Sequence, residues 1–325
     1  MTMIRFITGL ALGFVLHGAA MAGPAENWAH AWPNTDFSVT AVPLEEIRSG
    51  GPGKDGIPSI DNPRFELVGA VTDVPAATEP VITVVIDGDA RAYPLRILTW
   101  HEIVNDTVGG VPVSVTYCPL CNAAIVFDRR VGGRELDFGT TGNLRMSDLV
   151  MYDRQTESWW QQFLGRAIVG EMTGAELTTL PVRLESFERF AARYPTGKVL
   201  VPNDPSMRPY GLNPYAGYDS MPFPFLYDGS MPEGIAPLAR VVAVGGTAWS
   251  LDYLRSHRRV EQGDLILTWD PGQNSALDTR RIAEGKDVGN VVVQRRSTDG
   301  LRDVPYDVTF AFVFHAFHPD GTLVK

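Results

Sequence analysis

Residues 116–125 read Thr-Tyr-Cys-Pro-Leu-Cys-Asn-Ala-Ala-Ile, and residues 268–277 read Thr-Trp-Asp-Pro-Gly-Gln-Asn-Ser-Ala-Leu. When the two runs are aligned, Thr, Pro, Asn and one Ala are identical, whereas the only two cysteines of the chain correspond to Asp270 and Gln273. If both runs form the same turn, that turn forms without thiols. The similarity therefore predicts that Cys118 and Cys121 serve a chemical role rather than a folding role.

A second pair of similar segments precedes these runs in the same order. Residues 84–95 and 241–251 each read as a strand, a glycine turn and a strand. We therefore expect an α+β fold, β-dominant, with two diverged copies of a β-rich unit and short helices. The first unit would span residues 65–200 and carry the Cys-Pro-Leu-Cys turn, and the second, residues 201–325, would pack on it without cysteines. Residues 23–64, rich in Gly and Pro, are expected to form an extended N-terminal arm.

Residues 1–22 have the features of a secretory signal peptide. Arg5 supplies a positive charge, an apolar stretch follows, and Ala20-Met21-Ala22 forms a small-x-small cleavage site. An uncleaved membrane anchor is the alternative, but the apolar stretch is short compared with the roughly 20 residues of a membrane span. We expect a periplasmic or secreted protein with no integral membrane span after signal removal.

The overall charge argues against one class of partner. The chain has a formal net charge of −10 and contains no run of Lys and Arg of the kind that binds a phosphate backbone. We expect no nucleic-acid partner, and the sequence does not identify another. It also lacks the glycine-rich loops of nucleotide-binding proteins, so we expect no nucleotide cofactor.

The spacing of the cysteines is typical of a metal knuckle. Cys118 and Cys121 lie between two predicted strands, 113–117 and 124–128, whereas a thioredoxin-like pair lies at a helix N-terminus. Cys-Pro-x-Cys followed by Asn122, a residue that tolerates a left-handed conformation, resembles the turn of zinc sites. One knuckle supplies half of a tetrahedral site, and no cysteine remains for the other half.

The third ligand is therefore sought among the histidines. His101 lies just before the predicted strand that carries the knuckle, so it is the candidate, although it could simply pack at a helix end. His315 and His318 end a predicted strand, 308–317; offset by three, they would point to opposite faces, so at most one would join a site. The carboxylates that no motif pairs are interpreted as turn and capping residues: Asp128, Asp148 and Asp153.

Several long motifs resemble one known family. They are Trp100-His101-Glu102-Ile103-Val104-Asn105-Asp106, the strand ending in Thr-Tyr-Cys-Pro-Leu-Cys, the segment from Ser147 to Thr156, and Ala316-Phe317-His318-Pro319-Asp320. Together they resemble the secreted bacterial and archaeal family called domain of unknown function 3179, from about residue 67 to residue 320. The resemblance implies no activity. It does imply that Cys118, Cys121 and His101 belong to the motifs of that family.

Three hypotheses from different classes follow. In the first, Cys118, Cys121 and His101 bind copper or zinc, because thiolate and imidazole are ligands that these ions prefer. In the second, the same cysteine pair is catalytic in a periplasmic thiol-disulfide oxidoreductase. In the third, a non-catalytic binding or scaffold protein carries the cysteines as a passive disulfide. The sequence does not decide whether the protein is an enzyme.

Overall fold

The computed structural model describes residues 28–325, so the signal peptide expected at residues 1–22 lies outside the described part. Strands make up 40% of the described residues and helices 14%, and the strands are arranged as a five-bladed β-propeller. The expectation of an α+β fold built from two diverged copies of a β-rich unit is therefore wrong. Five sheets of four or five strands each form the blades, and a separate two-stranded sheet pairs Arg130–Val131 with Arg134–Glu135. The helices are too short to form a layer of their own.

Most strands are short. In chain order they are β1 (Ile47–Ser49), β2 (Arg64–Leu67), β3 (Pro80–Ile86), β4 (Asp89–Pro94), β5 (Ile103–Val108), β6 (Val111–Cys118), β7 (Ala123–Asp128), β8 (Arg130–Val131), β9 (Arg134–Glu135), β10 (Phe138–Arg145), β11 (Asp148–Asp153), β12 (Trp159–Gln161), β13 (Arg166–Val169), β14 (Thr178–Thr179), β15 (Arg183–Ser186), β16 (Lys198–Val201), β17 (Arg240–Val244), β18 (Thr247–Ser250), β19 (Arg259–Gln262), β20 (Leu265–Asp270), β21 (Asn290–Ser297), β22 (Gly300–Asp303), β23 (Asp307–Phe310) and β24 (Thr322–Val324).

The α-helices of the described residues each contain seven residues and directly follow a strand. They are α1 (Leu95–His101), α2 (Phe187–Arg193), α3 (Leu251–His257) and α4 (Ala311–Phe317). Short 3-10 turns occur at Leu44–Glu46, Val68–Ala70, Tyr218–Ser220 and Ile282–Glu284.

The five sheets are named here by their strand order. Sheet I is β15-β3-β4-β16-β2, sheet II is β14-β7-β6-β5, sheet III is β1-β10-β11-β12-β13, sheet IV is β23-β17-β18-β24, and sheet V is β19-β20-β21-β22. Neighbouring strands in these sheets are antiparallel except where β16 pairs with β4 and β24 pairs with β18. The described part of the expected arm, residues 28–64, contributes β1 to the edge of sheet III.

The largest apolar cluster is shared by sheets II, III and IV. From the second residue of β6 onward, every side chain is buried, as expected for a short run that is covered on both faces. Side chains from the three sheets meet here, among them Phe127, Trp160 and Phe310, and the same cluster includes Cys118 and Cys121. The two thiols therefore lie in the protein interior.

The two similar ten-residue runs follow different backbone paths. Cys118 pairs with Ala123 across a tight turn, whereas Asp270 pairs with Asn290 at the far end of a long loop. The expectation of a common turn is wrong, and the idea that Asp270 and Gln273 mark a lost site falls with it.

A different interaction holds the second segment. The carboxylate of Asp287 accepts hydrogen bonds from the backbone N–H groups of Gly272, Gln273 and Gly289, at distances of 2.8 to 3.2 Å. This loop is therefore anchored by a side chain that the ten-residue comparison does not include.

The expected strand at 308–317 is also only partly correct. It splits into β23 and α4, and His315 lies in this helix while His318 caps its C-terminus. Because Ala311 to Phe314 are all buried, the segment has no polar face from which its period could be read. The interpretation of His315 and His318 as opposite faces of one strand is therefore wrong.

Candidate metal centre

The first part of the site is the turn between β6 and β7. Cys118 is the last residue of β6, and the backbone N–H of Cys121 donates to the carbonyl oxygen of Cys118 at 3.2 Å. Asn122 has a φ of 50°, which is the left-handed conformation expected for this position. The predicted tight turn between two strands is thus confirmed. Such a turn directs both cysteine side chains toward the protein interior.

The second part is the hairpin between β10 and β11. Arg145 pairs with Asp148, and the two residues between them, Met146 and Ser147, have φ values of 53° and 67°. Two successive positive φ angles define a type I′ turn, which normally uses Asn or Gly. Non-glycine residues in this conformation carry backbone strain. The turn positions the carbonyl group of Ser147 and the carboxyl group of Asp148 beside the knuckle.

Three potential metal ligands come together here. The Sγ atoms of Cys118 and Cys121 and a carboxylate oxygen of Asp148 all lie within 4.8 Å of one another. The exposed fractions of the three residues are 2%, 0% and 0%. Both thiols are free, and they are directed toward the carbonyl oxygen of Ser147, with Sγ to O distances of 3.9 and 3.6 Å.

Only one of the two carboxylate oxygens of Asp148 accepts hydrogen bonds from N–H groups of the protein. Its Oδ2 atom accepts hydrogen bonds from the side-chain amide of Gln161 at 2.6 Å and from the backbone N–H of Phe163 at 2.9 Å. Its Oδ1 atom is buried, and no N–H or O–H group of residues 28–325 donates to it, so the two cysteine thiols are its only nearby donors among these residues. A buried acceptor without a partner is costly, so this oxygen is suited to a group that the protein itself does not supply.

Burial disfavours negative charge at the centre. It raises the pKa of both thiols. It also raises the pKa of Asp148 to about 6, although hydrogen bonds from Phe163, Gln161 and the two thiols oppose this shift. Burial, and next the charge of Asp148, raise the pKa of Glu102 to about 8. Four acidic groups thus share one interior region, and a cation is the kind of partner that would stabilise their ionised forms.

A third sheet closes the turn from the opposite side. The carbonyl oxygen of Cys121 accepts hydrogen bonds from the hydroxyl of Thr309 at 2.8 Å and from the backbone N–H of Phe310 at 3.2 Å. The side-chain amide of Asn122 donates to the carbonyl oxygen of Val308 at 3.0 Å. The centre is therefore held by sheet II, sheet III and strand β23 of sheet IV.

The structure does not bring His101 to this group. Its Nδ1 atom lies 2.7 Å from the carbonyl oxygen of Pro58, which can only accept, so Nδ1 carries the proton. Its Nε2 atom lies 2.8 Å from the hydroxyl of Tyr210 and accepts from it. Both ring nitrogens are already engaged, and burial lowers the pKa of the imidazole. Among the described residues, the third nearby ligand is Asp148 in place of His101.

The other two candidate histidines lie elsewhere. The Nε2 atom of His315 is 3.0 Å from the hydroxyl of Ser230, and the ring of His318 packs against Phe163 and Phe314. Neither histidine belongs to the group of three ligands.

A cavity of about 360 Å³ borders the centre. Leu120, which lies between the two cysteines, and Leu149, which follows Asp148, form part of its wall. Glu102 also lines it, is 7% exposed, and forms no side-chain hydrogen bond within the described part of the chain. A carboxyl group in an otherwise apolar cavity is a feature that the sequence did not indicate.

Comparison with known proteins identifies the family. The family described as "Protein of unknown function (DUF3179)" matches residues 54–321, which is most of the chain. The chain belongs to the DUF3179 family. The resemblance inferred from its motifs is confirmed. No curated protein and no solved structure matches the chain.

In this DUF3179 chain, sequence reasoning missed the third member of the centre. Asp148 was interpreted as a turn or capping residue, although it lies in the family motif that begins at Ser147. The motif itself was the available signal. Nothing in the sequence shows that the β10–β11 turn faces the knuckle, because that proximity depends on packing between two blades.

No α-helix within residues 28–325 has the length and the apolar character needed to cross a membrane.

Proposed function

We propose that this DUF3179 protein binds one metal ion through the Sγ atoms of Cys118 and Cys121 and a carboxylate oxygen of Asp148. The observation that carries the proposal is the Oδ1 atom of Asp148. It is buried and receives no hydrogen bond from an N–H or O–H group of residues 28–325, on a side chain whose ligand oxygen lies within 4.8 Å of two free thiols. A metal ion would satisfy this oxygen and both sulfurs at once.

Zinc suits this set of donors best. Copper(I) prefers thiolate and thioether ligands alone, whereas zinc, a borderline ion, accepts sulfur and carboxylate oxygen together. Three protein ligands with the fourth position left to water or a substrate are typical of catalytic zinc, and four protein ligands are typical of structural zinc. The carbonyl oxygen of Ser147, close to both sulfurs, is the nearest further protein donor.

The test is metal analysis of the purified full-length protein. We expect about one zinc per chain, and cobalt substitution should give the absorption of a tetrahedral site with thiolate ligands. Cys118→Ser, Cys121→Ser and Asp148→Asn should each remove or strongly weaken binding. Asp128→Asn is the matched control, since Asp128 forms a surface ion pair with Arg130 and lies outside the centre. Equal metal content in Asp148→Asn and wild type would contradict the proposed ligand set.

A thiol-disulfide exchange function is the second candidate, and one observation favours it. The two sulfurs lie within 4.8 Å of each other on a short turn, with a carboxylate beside them that could accept a thiol proton. In such a reaction the dithiol would pass two electrons and two protons to a substrate disulfide and become a disulfide itself. Burial and the raised thiol pKa values argue against it, because the thiolate is the attacking species. Reversible disulfide formation in the metal-free protein, with turnover of a model disulfide, would favour this function.

A further inference from the structure

The cavity beside the metal centre has walls of two kinds. Most of its lining is apolar and comes from Ile57, Leu120, Leu144, Leu149, Met221 and Phe225. The lining residues with polar side chains are Glu102, Asn143, Tyr215 and Tyr218. Its volume of about 360 Å³ lies within the range of small-molecule pockets, roughly 300 to 1,000 Å³.

The apolar wall is incompletely covered. Met221 and Phe225, on the loop that follows β16, have exposed fractions of 49% and 48% although both line the cavity. Apolar surface in contact with water is unfavourable, so a molecule that covered these side chains would gain free energy by doing so. The cavity is therefore suited to a ligand with an apolar body.

Not all of these polar groups have a hydrogen-bond partner within residues 28–325. The carboxyl of Glu102 and the hydroxyl of Tyr215 form no hydrogen bonds with other side chains or backbone atoms of residues 28–325, and Glu102 is more than nine-tenths buried. The hydroxyl of Tyr218, in the same cavity, accepts a hydrogen bond from the backbone N–H of Phe225 at 3.2 Å. The carboxyl of Glu102 faces the cavity, where the mainly apolar surroundings limit its hydration at a cost in free energy. A ligand that hydrogen-bonds to Glu102 would remove that cost.

We infer that this cavity binds a small, uncharged, mainly apolar molecule with one hydroxyl-type group, which hydrogen-bonds to Glu102 and Tyr215. A hydroxyl both donates and accepts, so it fits the carboxyl in either protonation state. The inference goes beyond the proposed metal site and does not require it. If the metal site is correct, the bound molecule lies next to the ion, separated from it by Leu120 and Leu149.

Phenol and toluene serve as matched probes, because they share the ring and differ in the hydroxyl. Binding to the full-length protein would be measured by ligand-observed NMR titration. Phenol should bind saturably and about tenfold more tightly than toluene, because one hydrogen bond to a buried polar group gives roughly this factor. Glu102→Leu should remove the difference by weakening phenol alone.

Two variants that fill the cavity test its location. Leu144→Trp and Met221→Trp enter from different walls, and both should abolish binding of phenol and toluene. Leu164→Trp is the control, since Leu164 is exposed and lies outside the cavity. Met221 lies on an exposed loop, so its replacement leaves the test available if Leu144→Trp does not fold.

Metal analysis of the same samples separates the two proposals. Absence of saturable phenol binding, or unchanged binding in Met221→Trp, would overturn the cavity inference whether or not zinc is present. Equal affinities for phenol and toluene in the wild type would overturn the role of Glu102. Phenol binding to a protein that fails to bind zinc would leave the cavity inference intact and contradict the proposed function.

Discussion

Residues 118–121 and 270–273 are preceded by the same local backbone conformation. After these segments the two backbone paths differ. Before each segment, a seven-residue helix ends at a residue with positive φ, Glu102 at 58° and Arg258 at 61°. The carbonyl groups of these two residues accept the backbone N–H of Tyr117 and Trp269, each at 2.8 Å. The two paths separate at the next residue, which is Cys118 in one case and Asp270 in the other.

The two segments differ in which distant residues contact them. The first segment turns tightly and meets Asp148 from sheet III and Thr309 from sheet IV. The second opens into a loop that is held by Asp287 through backbone N–H groups. The residue that ends each helix differs likewise, since Glu102 is buried and Arg258 is exposed. The same preceding backbone conformation is therefore followed by a candidate metal centre in one blade and by a structural loop in another.

Replacement of a thiol should give the largest difference between the two segments. Cys121→Ser should abolish zinc binding and lower the free energy of unfolding in excess zinc by about 4 kcal/mol, the linkage value for a ligand at roughly 1,000 times its Kd. Gln273→Ser, at the aligned position, should leave the zinc content unchanged. Metal analysis and urea unfolding with and without a chelator check both variants. A zinc-dependent stability that is the same in Cys121→Ser and wild type would contradict the assignment.

The pH dependence of stability should reverse sign when the metal is removed. In the metal-free protein the pKa values of Asp148 and Glu102 are raised to about 6 and about 8, so the folded state binds more protons than the unfolded state. Stability is then highest below the unfolded-state values and falls as pH rises through 6 and 8, by up to about 1.4 kcal/mol per pH unit for each carboxyl.

The metal-loaded protein should behave in the opposite way, because ligands must lose protons in order to bind. Urea unfolding of both forms between about pH 5 and about pH 8, the range in which the two carboxyls titrate, provides the measurement. Parallel pH profiles with and without zinc would show that the carboxyl of Asp148 does not interact with the ion.

Asn122 and Asn274 occupy aligned positions but differ in backbone conformation, so their replacements can be compared. Asn122 combines a left-handed conformation with a hydrogen bond to β23, so Asn122→Ala should destabilise the protein by about 2 to 3 kcal/mol. Asn122→Gly should recover about 1 kcal/mol of this loss, because glycine adopts the conformation freely. Asn274, without a positive φ, donates to Ala283 at 2.8 Å, and Asn274→Ala should cost only about 1 kcal/mol. Equal losses at the two positions in thermal unfolding would show that the conformations are not the cause.

The smallest effect is expected at Asp287. Asp287→Ala removes the acceptor of three backbone hydrogen bonds, but the side chain is exposed and water can replace part of the interaction. We expect a loss of about 1 kcal/mol and no change in zinc content. A loss of zinc on this substitution would indicate that the two segments are coupled through the fold, and their comparison as independent regions would no longer hold.

The sequence predicted the local features of this site better than its assembly. The strands around the knuckle and the left-handed Asn122 followed from residue types and spacing. Asp148 did not, because its proximity to the cysteines depends on how sheets II and III pack. His101 seemed close to the knuckle along the chain, yet its ring turns toward Pro58 and Tyr210.

The fold was misjudged for a related reason. Two ten-residue runs with four identical positions, preceded by a second pair of similar segments, indicated a repeated unit. The course of residues 270–290 nevertheless depends on Asp287, which lies well beyond the aligned run. In the same way, the apolar segment at Ala311 to Phe314 carried no periodic signal to distinguish helix from strand. Short similarities predict local conformation, and the number of blades depends on contacts between residues far apart in sequence.

The hydrogen bonds from Thr309 and Phe310 to the carbonyl group of Cys121 link the knuckle to a strand near the end of the chain. During synthesis, Cys118, Cys121 and Asp148 emerge well before β23 does, so the nascent chain carries two unprotected thiols for as long as that strand is missing. The centre is consequently among the last parts of the molecule to mature, and a polypeptide that stops before β23 would expose its cysteines to oxidation.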